Sequence, residues 1–198
     1  STALMRSWSS RKDTFVIDEP FYAYYLKKTQ KNHPMKEEII KHYSSNYKEV
    51  VNYLTHKVPN QKSIWYQKHM AHHLINLSDI NWIKKCQNCI LLRHPKEVIS
   101  SYIVKNNLQR VEELGYPQQY EIAKFLKKSN KSFRVIDSED LLKNPSKVLS
   151  DWCESINIDF DESMLQWEKG YHQNDGIWWK HWYDNVINTT GFQKYHKK

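Results

Sequence analysis

Asn88-Cys-Ile-Leu-Leu-Arg-His-Pro-Lys-Glu-Val-Ile-Ser-Ser101 joins a short apolar run to the start of a helix. Asn88 to Leu92 is apolar enough for a central strand buried on both faces, and Arg93 follows at its carboxyl end, where open α/β sheets gather their ligands. Pro95 suits a first helical turn, so a helix is predicted from Lys96 to about Lys105, with free backbone N–H groups and the positive dipole end beside the arginine. Val98, Ile99, Tyr102 and Ile103 form its expected buried arc, leaving Ser101 on the flank as a hydroxyl donor. The arginine offers a planar two-pronged fork that a lysine cannot match. Two readings stay open: an anion site built from Arg93 and Ser101, or an arginine paired with a structural carboxylate beside a tolerated serine.

Outward from this segment, strands and helices alternate. Thr14 to Ile17 reads as a strand ending in Asp18-Glu19-Pro20, Ser63 to Gln67 as a strand ending at Lys68, and Ser132 to Asp137 as a fourth strand. Helices are predicted over Ser1 to Ser10 with Ser1 or Thr2 as cap, Phe21 to Lys28, Gln118 to Lys128, near Glu139, and Pro145 to Ile156. The 3.6-residue spacing of Ile39, Ile40, Tyr43, Tyr47, Val50, Val51 and Leu54 predicts one long amphipathic helix from Met35 to His56, and His69 to Leu77 also reads as helical. Such alternation implies a mostly parallel three-layer α/β/α sheet with right-handed crossovers. At 198 residues, 39% of them hydrophobic, one domain over residues 1–198 is expected.

Composition narrows the function. There is no apolar run of about 18 residues and no secretory profile at the start, so a soluble, cytoplasmic protein without a membrane partner is expected. Three cysteines point to a reducing compartment rather than a disulfide framework. Cys86 and Cys89 form a C-x-x-C, but no second Cys or Cys/His pair stands at metal spacing, so no metal site is expected. A net charge of +8 favours an anionic partner. The lysines are scattered, and no Gly/aromatic RNA-recognition signature occurs, which argues against nucleic acid.

Arg93-His-Pro-Lys-Glu-Val-Ile-Ser-Ser101 resembles the sulfotransferase segment that binds the 3′-phosphate of 3′-phosphoadenosine 5′-phosphosulfate (PAPS). Further stretches resemble the bacterial members of that family in order along the chain. They are Ser1-Thr-Ala-Leu-Met-Arg-Ser7, Asp18-Glu-Pro-Phe-Tyr-Ala23, Lys68-His-Met-Ala-His-His73 and Gly176-Ile-Trp-Trp-Lys-His-Trp-Tyr183. The resemblance implies a P-loop nucleoside triphosphate hydrolase-like fold, PAPS as donor and no metal. Ser1 and Thr2 would be the end of the phosphosulfate loop, so the 198 residues are expected to lack the N-terminal strand and most of that loop.

Sulfuryl transfer needs positioned cations for the developing charge and a base for the acceptor. The resemblance suggests Lys68, at a strand's carboxyl end, for the leaving oxygen; a surface lysine is the alternative. His72 or His73 suits the base, since an imidazole titrates near neutral pH. Asp18 and Glu19 are placed to bind or deprotonate a small-molecule acceptor, unless one of them caps the helix near Phe21. Tyr22, Lys180 and His181 join the acceptor side, while Trp178, Trp179, Trp182 and Tyr183 form a clamp or pack the last helix. Two other functions remain open: a nucleotide-dependent P-loop kinase-like enzyme, and a non-catalytic basic protein that binds anions or nucleic acid.

Overall fold

A computed structural model describes residues 1–104 and 107–195; Lys105, the expected end of the central helix, lies outside them. The chain divides into two compact units, Ser1–His69 with Asp161–Gln193, and Met70–Phe160 with the residues from Lys194. The first begins with α1 (Thr2–Ser9), β1 (Thr14–Asp18), α2 (Tyr22–Thr29), α3 (Lys36–His42), α4 (Tyr47–Leu54) and β2 (Ile64–Lys68). The second contains β3 (Asn88–Leu92), α5 (Pro95–Tyr102), α6 (Tyr116–Lys128), β4 (Phe133–Asp137), α7 (Ser138–Lys143) and α8 (Pro145–Ser155). The chain then returns to the first unit with α9 (Trp179–Trp182) and α10 (Asp184–Ile187).

The strand pairs are parallel. β1 runs beside β2 with Asp18 opposite Lys68, and β3 beside β4 with Leu92 opposite Asp137. Alternation along β1 turns Thr14, Val16 and Asp18 inward, so the face that buries Val16 also buries a carboxylate. Leu4, Met5 and Trp8 of α1 supply the matching apolar stripe, and Trp8 stacks on Tyr66 of β2 at 5.4 Å. In the second unit Leu149, Trp152 and Cys153 of α8, at i, i+3 and i+4, are buried, as are Ile136, Leu141 and Leu126. Each such leucine contributes roughly 2 kcal/mol of burial.

Several expectations are corrected. The long helix over 35–56 is two helices. Tyr43 turns extended after α3, and Asn46 starts α4 by accepting from the Lys48 and Glu49 amides at 3.0 and 3.4 Å. A strong side-chain cap thus overrides an unbroken apolar period. Residues 69–77 form only single 3₁₀ turns, Ala71–His73 and the start of Leu77–Asp79, because the segment is too short and uncapped to sustain a helix. Ile99 and Ile103 are exposed, so the buried arc expected of α5 does not form; Tyr102 instead bonds Glu113 Oε2 at 2.9 Å. β3 buries only Ile90 fully, its other residues being half-buried. Ser1 takes the α1 cap position without a side-chain cap bond, and neither Asp18 nor Glu19 caps α2. Among the described residues, no helix is long and apolar enough to cross a membrane.

Candidate functional site

The carboxyl end of β3 carries Arg93, whose carbonyl is fixed by the Tyr116 hydroxyl at 2.5 Å. The side chain leans along α5: Nε donates to Glu97 Oε2 at 2.9 Å, one helical turn on. Its two Nη atoms have no partner among the described residues, and the side chain is 41% exposed. Glu97 is the structural carboxylate of the second reading, yet it occupies one edge of the guanidinium and leaves the fork open. That hydrogen bond, against a smaller effect of burial, holds the Glu97 carboxyl below its ordinary range. The helix start is well formed, with Pro95 in the first turn and His94 Nδ1 accepting from the Lys96 amide. Ser101 is exposed, about 9 Å along the axis from Pro95 at 1.5 Å per residue.

A cavity of about 360 Å³ opens beside this arginine, between the ends of β3 and β4. Its ionisable lining is Arg93, His94, Glu97, Asp137 and Glu139, a mixture that by count favours negative charge. The carboxylates are engaged, however. Asp137 caps α7 through the Glu139 amide at 2.7 Å, and Glu139 pairs with Lys143 at 2.6 Å. An anion entering here meets the open Arg93 fork beside carboxylates that are each already hydrogen-bonded.

The ends of β1 and β2 are built differently. The register that sets Asp18 opposite Lys68 brings the Lys68 ammonium to Asp18 Oδ1 at 3.0 Å, Glu19 Oε1 at 2.5 Å and the Tyr183 hydroxyl at 2.9 Å. Its three protons are therefore committed, and the residue is 3% exposed. Burial alone would lower its pKa, but Asp18, then Glu19 and Tyr183, outweigh burial and hold it well above the ordinary lysine value. Burial raises the Glu19 carboxyl despite Lys68, and Glu19 sits in the left-handed region at φ 40°. Asp18 Oδ2 accepts from the Tyr183 hydroxyl and from the Gly176 amide at 3.0 Å. Only glycine fits at 176, since a Cβ would fall 2.1 Å from Trp178 Cζ2.

Behind this cluster, Arg6 Nη2 pairs with Asp175 Oδ2 at 2.6 Å, both side chains being buried. Burial pushes the Asp175 carboxyl up to about 6 even beside the arginine. Among the described residues Arg6 Nε and Nη1 and Asp175 Oδ1 find no protein partner. Nothing local in the sequence announces this pair, whose members are 169 residues apart. The Tyr183 hydroxyl was equally hidden inside an aromatic cluster that reads as packing.

The remaining predicted residues divide between the units. Ser1, Thr2, Asp18, Glu19, Tyr22, Lys68, Lys180 and His181 belong to the first; His72, His73, Arg93 and Ser101 belong to the second. Tyr22 is buried and meets His33 Nδ1 through its hydroxyl at 2.9 Å. Lys180 and His181 are exposed on α9, the former over the Trp179 ring at 5.7 Å. Trp178 and Tyr183 are core residues, whereas Trp179 and Trp182 are half-buried. His73 is buried, and its ring stands edge-on to half-buried His72 at 4.6 Å. Gly115, at φ 81°, passes close by, and a Cβ there would touch Ala71 Cβ at 3.5 Å. Burial, then Lys68, lowers the neighbouring His69 to about 4. Among the described residues no group of three His, Cys, Asp or Glu could hold a metal ion, and burial pushes the free Cys89 thiol up to about 12.

Parallel strand pairs, each followed by a helix, place the chain in the P-loop-like α/β class. Residues 1–196 match the sulfotransferase domain family, and the chain belongs to it. Two curated relatives from Arabidopsis thaliana are 31% identical: branched-chain-amino-acid aminotransferase-like protein 2, over 98% of this chain, and protein 1, over 97%. The chain spans only 35% and 34% of their lengths. Among solved structures, the sulfotransferase domain of the Synechococcus PCC 7002 olefin synthase aligns with a TM-score of 0.53 and 16% identity. The alignment covers 86% of this chain and 73% of that one, a likeness of fold.

Proposed function

We propose that the chain transfers a sulfuryl group from PAPS to a hydroxyl or amine of a small-molecule acceptor. The observation that carries this reading is the pair of uncommitted Arg93 Nη atoms beside the α5 start, in a chain of the sulfotransferase family. A phosphate there receives two parallel charge-assisted bonds. Arg93 and Ser101 take the donor's 3′-phosphate, and the family resemblance assigns its 5′ end to Ser1 and Thr2. The acceptor oxygen or nitrogen attacks sulfur, the bond from sulfur to the bridging phosphate oxygen breaks, and adenosine 3′,5′-bisphosphate leaves. The acceptor's proton passes to a base, for which His72 and His73 are the candidates. Asp18, Glu19, Tyr22, Lys180 and His181 hold the acceptor.

Lys68 acts in this scheme with its protons already shared. It holds Asp18 and Glu19 in place through its hydrogen bonds, and reaches a leaving oxygen only by exchanging one of those bonds. Isothermal titration with adenosine 3′,5′-bisphosphate tests the donor assignment. Wild type binds, and Arg93→Ala weakens binding by at least about 10-fold, the effect of losing a charge-assisted pair. Absence of binding by wild type overturns the assignment.

A further inference from the structure

Glu97, which takes the Nε edge of Arg93, has a second partner from a distant part of the sequence. Tyr195 donates its hydroxyl to Glu97 Oε1 at 3.0 Å, across a sequence separation of 98. Glu97 thus receives Arg93 Nε on one oxygen and Tyr195 on the other. Glu139, a second carboxylate of the cavity, also faces the Tyr195 hydroxyl, and Lys143, the partner of Glu139, lies over the Tyr195 ring at 5.6 Å. Tyr195 is half-buried, and its hydroxyl faces two acids of one cavity.

We propose that Tyr195 is a positioning residue for the donor site: by holding Glu97 against the Nε edge of Arg93, it keeps the two Nη atoms turned toward the 3′-phosphate. The inference rests on the reading that this cavity takes the nucleotide's 3′-phosphate. Electrostatics sets its size. A loose carboxylate about 5 Å from a phosphate charge repels it by roughly 3 kcal/mol at an effective dielectric of 20, and can also fold over the fork in its place. A carboxylate with both oxygens bonded keeps its charge but is held at the Nε edge, away from the fork, and cannot fold over it. Burial, and then the hydrogen bond to Glu97, push the phenol up to about 12, so it remains a donor through the neutral range.

The test titrates wild type, Tyr195→Phe, Glu97→Gln and the double variant with adenosine 3′,5′-bisphosphate and with adenosine 5′-monophosphate, which lacks the 3′-phosphate. Melting curves confirm that each variant is folded. Tyr195→Phe is expected to weaken the bisphosphate by about 5- to 10-fold, the worth of one hydrogen bond to a charged group, and to leave the monophosphate within about 2-fold. With Glu97→Gln already present, adding Tyr195→Phe is expected to change bisphosphate binding by less than about 2-fold, because no charge remains to restrain. Unchanged bisphosphate affinity in Tyr195→Phe overturns the inference, as does equal loss of both nucleotides, the mark of a structural role. A full loss that persists in the Glu97→Gln background overturns the route through Glu97. If wild type does not prefer the bisphosphate to the monophosphate, the donor reading itself falls and takes this inference with it. If wild type prefers it and Tyr195→Phe prefers it to the same extent, only the inference falls.

Discussion

The carboxyl ends of the two parallel strand pairs each carry a cation beside carboxylates, and the two cations are held in opposite ways. Lys68 is 3% exposed and gives all its protons to Asp18, Glu19 and Tyr183. Arg93 is 41% exposed and gives one edge to Glu97. A buried ammonium without partners is prohibitively unstable, so burial commits Lys68 to its neighbours. A half-exposed guanidinium keeps water on its free nitrogens and can exchange that water for a phosphate. Position in the fold is similar; burial decides which cation is structural and which is available.

That contrast makes the largest stability prediction. Asp18→Ala removes one of the carboxylates holding Lys68 and is expected to cost about 3–5 kcal/mol, read from denaturant melts. Arg93→Ala breaks only an exposed pair one helical turn apart and is expected to change stability by about 0.5 kcal/mol or less. Equal losses would erase the distinction.

The first unit also carries opposed titrations. His69 has its folded pKa lowered to about 4 from 6.5, so its stabilisation is present above pH 6.5 and is lost as pH falls through 4. Asp175 has its folded pKa raised to about 6 from 3.8, so its stabilisation is present below pH 3.8 and is lost as pH rises through 6. Replacing His69 by Asn is expected to make stability decline more steeply as pH rises from 4 to 6.5, since the opposing His69 contribution is gone while that of Asp175 stays. Urea melts at several pH values check this. A smaller effect belongs to Asn46→Ala, which removes the α4 cap and is expected to cost about 1 kcal/mol.

Asn88 to Leu92 was legible to the residue, because a short apolar run bounded by a polar residue and by Arg93-His94-Pro95 has few other meanings. The break between α3 and α4 was not, although Ser44-Ser-Asn46 offers the cap, because Ile39, Val50 and Leu54 keep helical spacing straight across it. Glu97 was within reach of sequence reasoning, being four residues beyond Arg93 in the first turn of α5. Arg6 with Asp175, and Tyr195 with Glu97, were beyond it. Those pairs are made by tertiary folding over 169 and 98 residues, and no local spacing encodes them.

The most direct test of the open fork is phosphorus NMR of adenosine 3′,5′-bisphosphate, whose two phosphates resonate separately. The account predicts that wild type shifts or broadens the 3′-phosphate signal and that Arg93→Ala abolishes the change. A 3′ signal perturbed equally by both proteins, or a change confined to the 5′-phosphate, would contradict it.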